Sequence, residues 1–284
     1  MNKQALLATA GLIVVAVLFF FGRTVQKKTA KPVSNAVAPA HTHSFDITQY
    51  ISAEKQKLTA SQTVTVNKLE NNITRGDITA QQIASNKDLA NFWKDSVHAF
   101  EPYVYYLSAA AKLENSEKNL TFAAQLILEN LKTEQDEVKL DWQTTKAIEL
   151  FEQALKLDPD NDNLKIGLGS CYIYGRSRSG DPQQTMKGVL QLRSVVEKDS
   201  NNMKAQLVLG IGGFISRQYD KAIERLLKVV HFDPKNVEAV AYLADAYEGK
   251  GEKSEALKWY KALNQLVTNP EAKKQIADKI KALE

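Results

Sequence analysis

Few residues of this chain have types and spacings that could do chemistry. Gly169-Ser170-Cys171 sets a hydroxyl beside the only thiol. A serine nucleophile of the elbow type needs Gly-x-Ser-x-Gly at a strand-to-helix turn, and Ser170 lacks the second glycine. No histidine or carboxylate is spaced so as to set a base beside Ser170 or Cys171. Gly167-Leu168-Gly169 and Gly210-Ile211-Gly212-Gly213 look superficially like phosphate-cradling loops. Such loops join a strand to a helix, whereas both glycine runs fall inside predicted helices. His41-Thr42-His43 offers two metal ligands in an Ala/Pro/Ser tract, fewer than a metal centre takes, and reads as a solvated tail. Arg176 and Arg178, in Arg176-Ser177-Arg178-Ser179-Gly180-Asp181-Pro182, suit charge-assisted contact with an anion. The same stretch also reads as a connection in which Asp181 caps a helix and Pro182 is its first residue. No catalytic residue, metal or cofactor is expected.

Charge and composition narrow the classes further. The chain has 284 residues, 37 basic and 33 acidic, for a net +4. Lys3, Arg23, Lys27, Lys28 and Lys31 are the only charges before Asp46, which leaves 32 basic against 33 acidic residues in the remainder. A near-neutral body is not a nucleic-acid binder by charge. Cys171 has no partner for a disulfide and reads as a small buried apolar residue.

Residues 1–22 contain an uncharged run, Gln4–Gly22, in which Ala5–Phe21 is almost wholly apolar. As a helix this run spans roughly 26 Å, enough to cross a bilayer. A cleaved signal peptide is the rival, but the first Ala-x-Ala, Ala38-Pro39-Ala40, lies far downstream. An uncleaved single-pass anchor over residues 5–21 is the expectation. Residues 23–45 read as a flexible linker. Their basic charges favour a cytoplasmic position for the rest of the chain, with the periplasmic side still open. Residues 46–86 predict short capping helices, started by Asp46-x-x-Gln49, Thr59-x-x-Gln62 and Thr79-x-x-Gln82. Leu89–Phe100 predicts an amphipathic helix broken by Pro102, with a second helix over Tyr103–Leu113; His98 reads as structural.

From Ala147 onward the chain repeats. Ala147-x-x-x-Phe151, Gly188-x-x-x-Leu192, Ala222-x-x-x-Leu226 and Ala256-x-x-x-Tyr260 are spaced by 41, 34 and 34 residues. Leu168-Gly169-x-x-Tyr172, Leu209-Gly210-x-x-Gly213 and Leu243-Ala244-x-x-Tyr247 precede three of them. Asp158-Pro159-Asp160-Asn161, Asp199-Ser200-Asn201-Asn202 and Asp233-Pro234-Lys235-Asn236 close the units. A period of 34 with this order resembles the tetratricopeptide repeat family, stacks of helix-turn-helix units. Its small residues let paired helices approach closely. The usual tryptophan before the Leu-Gly pair is replaced by Lys165, Gln206 and Val240. The 41-residue unit carries about seven extra residues near Gly175–Gly180, and the first unit carries an insertion around Lys132–Leu140. The resemblance implies an all-α, right-handed superhelical solenoid over residues 87–268, clearest over 162–268, with a capping helix over 269–284.

In that family the first helices line a concave groove that holds a protein or peptide. Carried over, the groove takes Ile166, Ser170 and Ile173 from one unit, Leu207, Ile211 and Phe214 from the next, and Asp245 and Glu248, with Glu238 and Ala241, from the last. The carboxylate clamp of some members uses Lys, Asn and Arg; the matching sites here are Ile166, Ser170, Val208, Glu238 and Tyr242, so the clamp is not implied. The resemblance points to a membrane-anchored scaffold or adaptor. The alternatives are a structural module whose groove is filled by residues 46–86, or a non-catalytic subunit of a membrane enzyme or assembly complex.

Overall fold

The computed structural model describes residues 44–75, 79–179 and 182–284, all within one compact unit spanning 43–284. The apolar run Ala5–Phe21 and the His41-Thr42-His43 tract lie outside the described residues. None of the described helices is long and apolar enough to cross a membrane.

The described residues are helical throughout their regular elements: α1 Ile47–Lys55, α2 Ala60–Arg75, α3 Thr79–Asn91, α4 Phe100–Glu114, α5 Glu117–Leu131, α6 Glu137–Leu157, α7 Asp162–Tyr174, α8 Pro182–Lys198, α9 Met203–Ile215, α10 Tyr219–Phe232, α11 Val237–Lys250, α12 Lys253–Leu266 and α13 Pro270–Leu283. From α3 to α12 they form consecutive hairpins, and each second helix packs on the first helix of the next pair. Such helices have one apolar side each and bury it only by stacking.

The repeated Asp-x-x-Asn tetrads explain the boundaries. The amide of the closing asparagine donates back to the aspartate carbonyl in each, at 3.1 Å for Asn202 and Asn236. The asparagine side chain then accepts from the next helix: Asn161 from Asn163 and Leu164, Asn202 from Ala205, Asn236 from Ala239. One tetrad thus ends a helix, turns the chain and caps the next, satisfying amides that have no partner inside the helix. Asn269 repeats the device for α13.

Close approach within the pairs falls where the small residues stand. A Cβ built on Gly169 would lie 2.6 Å from Leu192 Cγ, and one on Gly188 would lie 2.6 Å from Tyr172 Cβ and 2.9 Å from the Gly169 carbonyl. Gly210 meets Leu226, and Gly213 meets the backbone of Ala222. Phe151, Tyr260, Ala147, Ala222 and Ala256 are fully or almost fully buried between helices.

Three details depart from the expectations. The break before α4 lies at His98, not at Pro102. Phe92–Val97 is a π-helical turn, His98 takes φ 58° with Nδ1 hydrogen-bonding to the Lys94 carbonyl at 2.9 Å, and α4 begins at Phe100. Pro102 sits in the first turn of α4, where its missing N–H costs nothing. The insertion around Lys132–Leu140 is partly helix: α6 starts at Glu137, capped by Asp136, after a non-helical stretch over Lys132–Asp136. The extra residues after Gly175 include a 3-10 turn, Arg176–Ser179. Ser177 is buried in it, donating to the Tyr172 carbonyl at 3.1 Å and lying 2.8 Å from Thr185 Oγ1.

Candidate peptide-binding groove

The first helices α5, α7, α9 and α11 line a cleft of about 440 Å³. Its floor is apolar, built by Leu128 on α5, Ile166 on α7, and Leu207 and Val208 on α9. These positions share a face because α7, α9 and α11 repeat the same register. Ile166, Leu207 and Ala241 are equivalent, as are Asn163, Lys204 and Glu238. Ser170 adds a hydroxyl to the floor, and Glu129, Lys132, Lys204 and Glu238 are its charged groups.

Tyr174, at the end of α7, closes one side. Its phenol donates to Glu238 Oε1 at 2.7 Å, a hydrogen bond that skips a whole repeat from α7 to α11. Lys132 stands over the same ring, 5.3 Å from its centre. Burial, and then the Glu238 carboxylate, push the Tyr174 phenol far above its ordinary pKa, so it stays a donor.

The structure brings only part of the expected set together. Ile166, Ser170 and Leu207 line the cleft, with Glu238. Ile173 does not: it is fully buried, its Cδ1 2.9 Å from where a Cβ on Gly212 would stand. Ile211 is likewise 0% exposed and belongs to the core. Phe214 is half-buried and does not line the cleft, its ring 5.5 Å from Tyr242 and 6.1 Å from Tyr219. The residues that Leu209, Gly210 and Gly213 leave over are therefore not all free to face a partner, because α9 is covered by α7 and α11 as well as by α10.

Asp245 and Glu248 are already engaged. Lys279 of α13 lies 2.9 Å from a carboxylate oxygen of each. The Tyr260 phenol faces both, with a single proton to share, and is 2.6 Å from Lys279 Nζ. The acidic end therefore has a cation from the chain itself, and a basic residue of a partner would have to displace it.

Arg176 is not a free anion contact either. It pairs with Asp141, and its Nη2 donates to Thr145 Oγ1 at 2.6 Å, which ties the 3-10 turn to α6. The side chain of Arg178 lies outside the described residues. Cys171 is fully buried, and burial pushes its thiol well above the ordinary range, the opposite of an activated nucleophile.

The cleft is not lined by the N-terminal helices described. Phe45, just before α1, stacks 5.2 Å from Trp142 of α6. The α1 residue Tyr50 lies under Lys139, which pairs at 2.9 Å with the buried Glu101 of α4. These contacts place α1 against α4 and α6.

Sequence reasoning missed Leu128, Lys132, Tyr174 and Lys204. The equivalence of Asn163, Lys204 and Glu238 was legible in the repeat spacing. The reach of Tyr174 across two repeats had no sequence signal.

No curated protein matches the chain in sequence. Among solved structures, MamA is 19% identical with a TM-score of 0.46, over 66% of this chain and 92% of that one. YrrB, described as a TPR protein with an unusual peptide-binding site, is 17% identical with a TM-score of 0.44, over 71% of this chain and 98% of its own. Yeast Tom70 is 15% identical with a TM-score of 0.38, over 82% of this chain and 60% of that one. The sequence profile described as tetratricopeptide repeat matches residues 214–277, from the end of α9 into α13, and assigns that stretch to the tetratricopeptide repeat family.

Proposed function

We propose that the protein is a membrane-anchored adaptor that holds a segment of a partner protein in the cleft lined by α5, α7, α9 and α11. The observation that carries this reading is the cleft itself: an open apolar floor on the first-helix face, between charged rims. A concavity with an apolar floor and a few polar groups at its rim is the usual form of a site for a bound segment. Anchoring rests on the apolar length of Ala5–Phe21, and the linker over 23–45 would let the repeats reach a partner near the bilayer.

Two measurements test this. A photo-crosslinking residue at Leu207 should capture one partner segment, while the same residue at exposed Leu190 of α8 should not. Equal capture at both positions would refute groove binding. Alkaline and high-salt washing should leave the full-length chain in the membrane fraction, while a chain starting at Ser44 should be soluble. Mature protein beginning near His41 would overturn the anchor.

A further inference from the structure

Resting on that reading, we infer that the groove selects a partner segment that presents one acidic and one basic side chain three residues apart on its groove-facing side, followed by an apolar one. Of the four charged groups at the cleft, Glu129 and Lys132 pair with each other at 3.2 Å. Among the described residues Lys204 has no ion pair or hydrogen bond. Glu238 accepts from Tyr174 and, among the same residues, has no ion pair. The groove thus keeps one uncompensated ammonium and one uncompensated carboxylate.

Their placement is fixed by the repeat. Lys204 is the second residue of α9 and Glu238 the second residue of α11, 34 residues apart and in the same register. Stacked first helices stand roughly 8–10 Å apart, so the two charges mark out a similar span along the groove. A chain in the polyproline II conformation advances about 3.1 Å per residue with three residues per turn. Side chains at i and i+3 of such a segment lie on one face, about 9 Å apart, so they can meet Lys204 and Glu238 together, and the next residue on that face beyond Lys204 lies toward Ile166 on α7. The apolar floor supplies attraction without order, and the opposed charges supply register and exclude segments of uniform sign.

The test uses the full-length chain in lipid nanodiscs and four synthetic peptides, capped at both ends and labelled for fluorescence anisotropy. Each carries a charged or neutral pair at i and i+3, with leucines at i−3 and i+6 on the same face; the pair is Asp and Lys, Asp and Asp, Lys and Lys, or Gln and Gln. The wild type should bind the Asp/Lys peptide about two- to fivefold more tightly than the Gln/Gln peptide, the range expected for exposed charge pairs, and the advantage should shrink at high salt. Because a peptide can lie in either direction, a single charge reversal is decisive. Lys204 is exposed near the start of α9, where Lys204→Glu preserves folding. That variant should prefer the Lys/Lys peptide. If the wild type binds the Gln/Gln peptide as tightly as Asp/Lys, or Lys204→Glu leaves the ranking unchanged, groove binding stands and the charge selection falls. If no peptide binds, both fall.

Discussion

Replacing Gly188 by alanine is the sharpest probe of the repeat packing. The added Cβ would stand 2.6 Å from Tyr172 Cβ and 2.9 Å from the Gly169 carbonyl oxygen, against an ordinary contact of at least 3.4 Å. Relief requires a retreat of 0.8 Å at the first contact. Neither obstacle can swing away by rotation of a side chain, because one is a Cβ and the other is backbone, so α7 and α8 must part. Overpacking of this kind costs about 1–3 kcal/mol. Alanine returns up to ~1 kcal/mol of helix propensity, so the middle of that range, about 2 kcal/mol, is reduced to a net loss of about 1–2 kcal/mol. For a domain of this size that is a fall in Tm of roughly 2–8 °C. Repeat arrays can unfold in parts, so the thermal scan should be paired with hydrogen exchange on the α7 and α8 amides, where protection should drop most. Gly251→Ala is the control: φ is +86° with no atom within 4 Å of the new Cβ, so it strains one turn without parting any helices. An unchanged or raised Tm for Gly188→Ala, with full protection of α7 and α8, would refute the close approach at Gly169 and Gly188.

Other outcomes rest on burial and charge. Ile211→Ser removes a fully buried side chain, and by analogy with buried Ile→Ala changes should cost about 2–5 kcal/mol; a variant of wild-type urea stability would return Ile211 to the groove. Cys171 should resist a thiol reagent in the folded protein and react once the protein is unfolded, because burial keeps it protonated and unreachable; rapid native labelling would contradict the packing around α7. Alkaline stability should fall as the pH rises past about 10. Burial, followed by neighbouring carboxylates, raises the phenols of Tyr106, Tyr174 and Tyr260 above their ordinary value. The folded state therefore holds protons that the unfolded chain releases, and the stability is complete below about pH 10 and lost above it. Urea midpoints between about pH 8 and 11 should show a shallower loss for Tyr260→Phe than for wild type; identical slopes would argue against the Tyr260–Lys279 cluster.

The sequence by itself determined the repeat. A 34-residue period with small residues at fixed places dictates helix pairs, because only small residues at Gly169, Gly188, Gly210 and Ala222 let two helices touch there. It also held the turn-and-cap tetrads, since an aspartate and an asparagine three apart act within a few residues of themselves. The first-helix face was legible in outline, and Ile166, Ser170 and Leu207 stand in the cleft. What the tertiary structure decided was which residues of that face remain open. A helical wheel gives one buried side, but a first helix inside a stack is covered on three, which takes Ile173 and Ile211 out of reach and leaves Phe214 half-buried against Tyr242. The fate of the charges was decided there too. Arg176 is joined to Asp141, and Asp245 and Glu248 to Lys279, by folding that brings together residues more than 30 positions apart. Tyr174 meets Glu238 across 64 positions. Pairings at that separation depend on the curvature of the stack, which no local pattern encodes.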